Sequence, residues 1–94
     1  MKADIVIIGG AGHIGLPLGI LFASKGKSII LYDKDKKYIE LINKSKMPFL
    51  EEGGERLIKK NKKRIFATSD KKFIKDASSV IICIGTPVKK SKPD

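Results

Sequence analysis

Residues 5–33 read IVIIGGAGHIGLPLGILFASKGKSIILYD, and they carry the strongest structural signal in the chain. A run of β-branched apolar residues comes first, followed by a cluster of glycines, an apolar segment, and a second apolar run that ends in an acid. This pattern predicts a strand over residues 5–8, a helix to about Lys25 and a second strand over residues 28–32. The segment is therefore a β-α-β unit with a glycine turn after its first strand.

The glycine turn has the spacing G-x-G-x-x-G at Gly10, Gly12 and Gly15. In such a turn we expect Gly10 to permit the tight exit from the strand, while Gly12 leaves the backbone open to a pyrophosphate. Gly15 lets the helix pack close to the sheet. The free amide groups and the dipole of the helix then attract phosphate. The spacing alone is a weak signal, but its place between a strand and a helix predicts a dinucleotide site.

Asp33 ends the second strand, where a carboxylate accepts hydrogen bonds from a ribose diol. The same carboxylate would repel a 2′-phosphate, so the sequence predicts NAD as the cofactor rather than NADP. Lys34, Lys36 and Lys37 moderate this preference, since an ammonium group could pair with a 2′-phosphate.

A second helix and a long loop are predicted after the second strand. Asp35 is the expected N-cap of the helix, and Pro48 is expected to end it. Residues 47–54 then form a loop that is longer than a simple crossover requires. In the short helix that follows, we expect Leu57 and Ile58 to face inward.

Two more strands complete the alternation. We expect a third strand over residues 64–68, a third helix capped by Ser69 or Asp70, and a fourth strand over residues 79–84. The continuous apolar character of the fourth strand is typical of a parallel strand buried on both faces. The residues of the third helix that should face inward are Phe73, Ile74 and Ala77.

This β-α-β-α-β-α-β order predicts a Rossmann-like α/β domain in three layers, with a parallel sheet and right-handed crossovers. A nucleotide turn after the first strand implies the strand order 3-2-1-4. The ligand crevice should then open beyond the carboxyl ends of strands 1 and 4. Residues 10–15 should face the Gly85-Thr86-Pro87 turn across this crevice, so Gly85 belongs to the predicted cofactor site.

Composition limits the other functions that the chain could have. With 94 residues, 41% hydrophobic and 32% charged, it is expected to form one folded domain. Its single cysteine, Cys83, excludes an internal disulfide and fits a reducing cytoplasm; within an apolar strand we expect it to be a packing residue. No signal peptide and no membrane-spanning run are evident, so no membrane partner is expected.

The net charge of +10 comes largely from runs of lysine. Such a field attracts polyanions in general. No aromatic residues interleave the lysine runs, and no nucleic-acid-binding motif occurs, so we expect no specific nucleic-acid partner. One histidine and one cysteine do not make a metal site, and Glu51 and Glu52, being adjacent in a loop, point apart and form no acid/base pair.

The chain resembles the N-terminal segment of the UDP-glucose/GDP-mannose dehydrogenase family, whose members oxidise the C6 alcohol of a nucleotide sugar to the acid with two NAD. The matching elements are Gly10-Ala11-Gly12-His13-Ile14-Gly15-Leu16-Pro17-Leu18 (G-x-G-Y-V-G-L-P-L in the family), Asp33, Met47-Pro48-Phe49-Leu50-Glu51-Glu52-Gly53, Thr68-Ser69-Asp70, Gly85-Thr86-Pro87 and Pro93-Asp94. The G-L-P-L and G-T-P…P-D elements are more specific than the glycine turn.

The resemblance implies that Gly12, Ile14, Asp33 and Thr86 contact NAD, with Thr86 near the nicotinamide half. His13 stands where the family usually has tyrosine, and we include it as a residue at the edge of the cofactor pocket.

The family's catalytic cysteine, lysine and aspartate lie in segments beyond residue 94, and Cys83 is not that cysteine. Residues 1–94 are therefore expected to be part of the dinucleotide-binding domain, without catalytic residues or a substrate segment, and inactive alone. The partners expected for the complete enzyme are NAD and a UDP- or GDP-sugar. An unpaired edge of the fourth strand would favour a homo-oligomer.

Two other functions share the same glycine turn. A regulatory NAD-sensing module, like those attached to potassium transport systems, resembles this chain through Asp33 but typically has G-D-A-T after its third strand. Another NAD-dependent hydroxy-acid or acyl-CoA dehydrogenase would lack the G-T-P…P-D ending. Both differences favour the nucleotide-sugar dehydrogenase.

Overall fold

A computed structural model of the chain describes residues 2–84 and contains one parallel sheet with strand order β3-β2-β1-β4. The elements are β1 (Ala3–Ile8), α1 (Gly15–Ser24), β2 (Ile29–Tyr32), α2 (Lys36–Asn43), α3 (Gly54–Lys60), β3 (Ile65–Thr68) and β4 (Ala77–Ile82), with short 3-10 helices at Lys62–Arg64 and Lys71–Asp76. The predicted Rossmann-like α/β fold and its strand order 3-2-1-4 are confirmed.

The main core lies on the face of the sheet that packs against the α-helices. Its fully buried side chains include Ile7, Leu16, Ile29, Leu31, Ile42 and Ile58. A smaller core on the opposite face is built from Val6 and Ile30, with Phe73 and Ile74 of the second 3-10 helix packed against it. Successive residues of β1 and β2 therefore alternate between the two cores, as the two-residue period of a strand requires.

Helix α2 begins as predicted but ends earlier. The Asp35 carboxylate accepts the Tyr38 amide at 3.1 Å and caps the first turn. The helix ends at Asn43, and Ser45 follows with a left-handed φ of 61°. The amide of Lys46 donates to the Leu41 carbonyl at 2.9 Å, which closes the helix in a Schellman motif. The prediction that Pro48 ends this helix is therefore wrong.

The predicted third helix is a 3-10 helix of six residues, Lys71–Asp76, capped by the Asp70 carboxylate, which accepts the Lys72 amide at 3.0 Å. Ala77 does not belong to it. Because Ala77 pairs with Ala3, strand β4 begins two positions earlier than predicted. Only six residues separate the cap from the strand, and a 3-10 helix fits such a short crossover because it rises more per residue than an α-helix.

Two burial predictions are also wrong. Strand β4 is not buried on both faces, since Val80 is 51% and Ile82 63% exposed among the described residues. Within residues 2–84, the short 3-10 helix Lys71–Asp76 packs on that face of the sheet through Phe73 and Ile74 and leaves these two side chains largely open to solvent. In α3, Ile58 is buried as expected, whereas Leu57 is 41% exposed and lies beside the groove between α1 and α3.

Candidate cofactor-binding site

The turn after β1 is formed by Gly9, which the G-x-G-x-x-G spacing does not include. Gly9 has a φ of 84°, and a Cβ atom there would lie 2.2 Å from the carbonyl oxygen of Cys83. The amides of Gly9 and Gly10 both donate to the Tyr32 carbonyl at 2.9 Å. The tight exit, which the sequence assigned to Gly10, is therefore shared with Gly9, because Gly9 combines a left-handed backbone with the close approach of Cys83, just after β4.

Gly10 and Gly15 are required by packing within the protein. A Cβ on Gly10 would lie 2.9 Å from the backbone of Ile7 and Leu31. A Cβ on Gly15 would lie 2.2 Å from the carbonyl oxygen of Gly9. The first turn of α1 thus packs against the turn that leaves β1, and neither glycine can gain a side chain without a shift of backbone.

Gly12 differs from these glycines, because a Cβ atom at this position would have space within residues 2–84. Among residues 2–84, the only atom within 4 Å of a Cβ on Gly12 would be the Gly9 carbonyl oxygen, at 3.4 Å, which is ordinary contact. The residue lines an open groove of about 530 Å³ together with His13, Ile14, Ile82, Cys83 and Ile84. The backbone of Gly12 is therefore open to the groove, which is the arrangement that lets a pyrophosphate approach the backbone in dinucleotide sites.

The N-terminus of α1 provides unpaired amide groups beside this groove. Ile14 is the N-cap residue, and no side chain caps the helix. The amide of Leu16 donates to the Gly12 carbonyl at 3.0 Å, whereas those of His13, Ile14 and Gly15 have no acceptor within residues 2–84. These amides lie at the positive end of the helix dipole, so they can hold an anion such as a diphosphate.

Asp33 lies next to the glycine turn, at the carboxyl end of β2. Its carboxylate accepts the Ala11 amide through Oδ2 and the Asp35 amide through Oδ1, each at 3.0 Å. Two backbone groups from different segments therefore fix the carboxylate in a partly buried position. Each oxygen keeps a further lone pair, so the group can still accept hydrogen bonds from a ribose diol. The strand register predicted the position of Asp33 but not its bond to Ala11.

His13 packs against a residue that the sequence analysis left out of the site. Its imidazole stacks on the ring of Phe49, with centroids 4.1 Å apart and an angle of 21° between the planes. Phe49 belongs to the loop between α2 and α3, which here reaches the glycine turn. Phe49 was part of the family-like loop motif, but only the folded chain brings this loop to His13.

The other wall of the groove is the end of β4. The Cys83 amide donates to the Ile8 carbonyl at 2.7 Å, and the side chain is half-buried against the main core. Cys83 is thus a packing residue next to Gly9. Gly85, Thr86 and Pro87, the predicted second side of the crevice, lie outside the described residues.

Among residues 2–84, no three His, Cys, Asp or Glu side chains are close enough to hold a metal ion together. In the same part of the chain, every helix is too short or too polar to cross a bilayer. Within residues 2–84, the groups beside the groove are backbone amides, one carboxylate and one aromatic stack.

The sequence matches the model of the UDP-glucose/GDP-mannose dehydrogenase family, NAD binding domain, over residues 3–94. UDP-glucose 6-dehydrogenase of Rhizobium meliloti is 37% identical over 81 residues, which are 83% of this chain and 18% of that protein. GDP-mannose 6-dehydrogenase of Pseudomonas aeruginosa is 34% identical over 89 residues, which are 92% of this chain and 20% of that protein.

Solved structures show the same relationship. The fold superimposes on a ternary complex of GDP-mannose dehydrogenase from Pseudomonas aeruginosa with a TM-score of 0.84 and 34% identity, over 93% of this chain and 20% of the other. UDP-D-ManNAc dehydrogenase from Pyrococcus horikoshii gives a TM-score of 0.86 at 31% identity, over 97% of this chain and 22% of the other.

The chain spans 18% and 20% of the length of the two curated dehydrogenases described above. The family match favours the nucleotide-sugar dehydrogenase over the regulatory module and the other hydroxy-acid dehydrogenases considered from sequence. Because the family model covers residues 3–94, the chain belongs to the UDP-glucose/GDP-mannose dehydrogenase family and corresponds to its NAD-binding domain.

Proposed function

We propose that the chain is the NAD-binding part of a nucleotide-sugar 6-dehydrogenase that oxidises the C6 alcohol of a UDP- or GDP-sugar to a carboxylate. Converting the alcohol and one water to a carboxylate releases two hydrides, and NAD supplies the acceptor for each. We propose that residues 1–94 bind and orient the dinucleotide and take no catalytic part in the chemistry of the sugar.

The observation that carries the proposal is the fixed carboxylate of Asp33. Its bonds to the amides of Ala11 and Asp35 hold it at the edge of the glycine turn, where the adenosine ribose of a dinucleotide lies in this fold. There it accepts hydrogen bonds from both ribose hydroxyls. It also repels a 2′-phosphate, which gives the proposed preference for NAD over NADP.

The glycine turn is proposed to hold the pyrophosphate. Gly12 admits it to the backbone, and the amides of His13, Ile14 and Gly15 donate to it. Gly10 contributes to the turn by packing closely against Leu31 of β2. On the other side of the crevice, Gly85 and Thr86 complete the proposed site, with Thr86 near the nicotinamide half.

The cofactor part of the proposal is tested by titrating the chain with NAD and with NADP in a calorimeter. Asp33→Asn should weaken the binding of NAD more than that of NADP, since it removes the negative charge and one acceptor while keeping the side-chain size. Asp35→Asn is the matched control. It removes the same charge two residues away, and asparagine still caps α2, so the ratio of the two affinities should stay unchanged.

Equal losses of NAD and NADP affinity in Asp33→Asn would contradict the ribose role. A wild-type chain that binds neither nucleotide would contradict the whole cofactor site. A bound dinucleotide also raises the melting temperature, since a ligand at about 100 times its Kd stabilises the fold by about 2.7 kcal/mol.

The sugar part of the proposal requires the remaining segments of an enzyme. We would replace the matching N-terminal part of Pseudomonas aeruginosa GDP-mannose 6-dehydrogenase by this chain and follow NADH formation with GDP-mannose. An active chimera that forms two NADH for each sugar supports the proposal. A chimera that folds and binds NAD but forms no NADH with GDP-mannose or UDP-glucose argues against it.

A further inference from the structure

We propose that Phe49 is a positioning residue for the dinucleotide: by stacking on His13, it holds the imidazole so that a ring nitrogen donates to the pyrophosphate. The proposal rests on the proposed NAD site and adds a contact that the glycine turn alone does not provide. It starts from the ring stack, with centroids 4.1 Å apart, that joins the α2–α3 loop to the turn.

The geometry of the stack leaves the hydrogen-bonding part of the imidazole free. Phe49 covers one face of the ring, whereas both ring nitrogens lie in the ring plane and point outward from its edge. Within residues 2–84 the imidazole makes no hydrogen bond, and His13 itself lines the groove beside Gly12. A group so placed next to the pyrophosphate turn has a donor to offer to an anion.

Contacts of the residues that precede Phe49 anchor the loop that carries it. Two residues before Phe49, the side chain of Met47 packs closely on Gly54, where an added Cβ atom would lie 2.6 Å from the Met47 side chain. The Lys62 ammonium donates to the Asn43 carbonyl at 2.7 Å, near the start of the loop. The next residue, Leu50, is 100% exposed, whereas the ring of Phe49 stacks on His13 of the glycine turn.

A simpler role for Phe49 is to cover the core, against which it also packs. In that case its loss would weaken NAD binding through general loosening of the fold, whatever residue stands at position 13. If Phe49 acts through the imidazole, its loss should matter only while His13 is present. A double-mutant cycle separates these two roles.

The experiment measures the Kd for NAD of wild type, Phe49→Leu, His13→Ala and the double variant. We expect Phe49→Leu to raise the Kd by about threefold to tenfold in the wild-type background, the range that one aromatic pair can contribute. In the His13→Ala background the same change should have no effect. Phe49→Tyr keeps an aromatic ring and should restore wild-type affinity.

Phe73→Leu is the matched control. Phe73 forms an aromatic pair with Phe66, with centroids 4.9 Å apart, on the opposite face of the sheet. The same loss of a ring should therefore lower the melting temperature without changing the Kd for NAD.

The chain has a single histidine, so its imidazole signals can be assigned directly in an NMR spectrum. We expect Phe49→Leu to shift these signals by removing the ring current, and NAD to shift them in the wild type. Equal weakening by Phe49→Leu with and without His13, or imidazole signals that NAD leaves unmoved, would overturn the inference while the NAD site stands. A wild type that does not bind NAD would overturn both.

Discussion

At the scale of the residue, the four glycines of the turn have three different physical roles. Gly9 has a backbone that other residues rarely adopt, and Gly10 and Gly15 have no room for a side chain. Within residues 2–84, Gly12 has room for a methyl group, and it lines the open groove. Its φ is not in the left-handed region, so alanine fits its backbone.

We therefore predict that Gly12→Ala separates binding from folding. The added methyl group should keep the pyrophosphate from the backbone. We expect it to raise the Kd for NAD at least about tenfold, which corresponds to about 1.4 kcal/mol of binding free energy. In the absence of nucleotide, urea unfolding should show unchanged or slightly higher stability, since alanine restricts the unfolded chain. The affinity is measured by calorimetry and the stability by circular dichroism.

Gly15→Ala is the comparison for this prediction. Its Cβ would meet the Gly9 carbonyl oxygen at 2.2 Å, so we expect a destabilisation of roughly 1–3 kcal/mol before any nucleotide is added. If Gly12→Ala unfolds as readily as Gly15→Ala, Gly12 has a packing role that the geometry does not reveal. If the Gly12→Ala variant binds NAD with wild-type affinity, the pyrophosphate does not lie against Gly12.

At the scale of the element, the stability of a short helix such as α2 depends on how its two ends are capped. Helix α2 has eight residues, a length at which an isolated helix is not stable in water. Its first turn is capped by Asp35, and its last turn is closed by the bonds around Ser45. The buried side chains of Ile39 and Ile42 then join it to the main core.

Removing the N-cap of α2 should lower the stability of the fold by a measurable amount. We predict that Asp35→Ala lowers the free energy of unfolding by roughly 1 kcal/mol, because the Tyr38 amide loses its acceptor. The change appears as a lower urea midpoint with an unchanged slope. Affinity for NAD should be retained, since the Asp35 amide that supports Asp33 belongs to the backbone.

Lys34→Ala is the control for Asp35→Ala, because Lys34 is an exposed neighbour that makes no side-chain hydrogen bond or ion pair within residues 2–84. It should unfold at the wild-type midpoint or higher. An Asp35→Ala chain as stable as the wild type would show that packing of α2 on the core holds its first turn without the cap.

At the scale of the whole molecule, the charge is strongly unbalanced. The net charge is +10, and within residues 2–84 the one ion pair joins Lys72 to Asp70, with 3.9 Å between Nζ and Oδ2. That pair is exposed and contributes little. The remaining positive charges repel one another over the surface of a small domain and oppose its compact state.

We therefore predict that salt stabilises the fold. Raising sodium chloride from about 0.01 M to about 0.1 M shortens the screening length from about 30 Å to about 10 Å and should raise the melting temperature. Scanning calorimetry measures the change. A variant with Lys60→Glu and Lys63→Glu, two exposed positions, lowers the net charge from +10 to +6 and should depend less on salt. A melting temperature that falls as salt is added would contradict this explanation.

The alternation of apolar runs with capped helical segments was sufficient for the sequence to specify the element order, the parallel sheet and its 3-2-1-4 order. The position of Asp33 at the end of the second strand followed from the same local signals, because residues 5–33 form one β-α-β unit, and the proposed cofactor site rests on that unit. Local sequence also predicted the cap at Asp35 and narrowed the next cap to Ser69 or Asp70, of which Asp70 is the one that the structure shows. These features depend on neighbours along the chain.

The role of Gly9 in the tight turn became visible in the tertiary structure only, because it depends on the approach of Cys83, just after β4. The tertiary structure also joined Asp33 to the Ala11 amide and His13 to Phe49, contacts between segments that lie far apart in the sequence. The burial of β4 was mispredicted for the same reason, since the exposure of a side chain depends on the element that packs beside it, and hydrophobic pattern does not encode that neighbour. The end of α2 was mispredicted for a local reason: Ser45 adopts a left-handed backbone, which residues other than glycine rarely do.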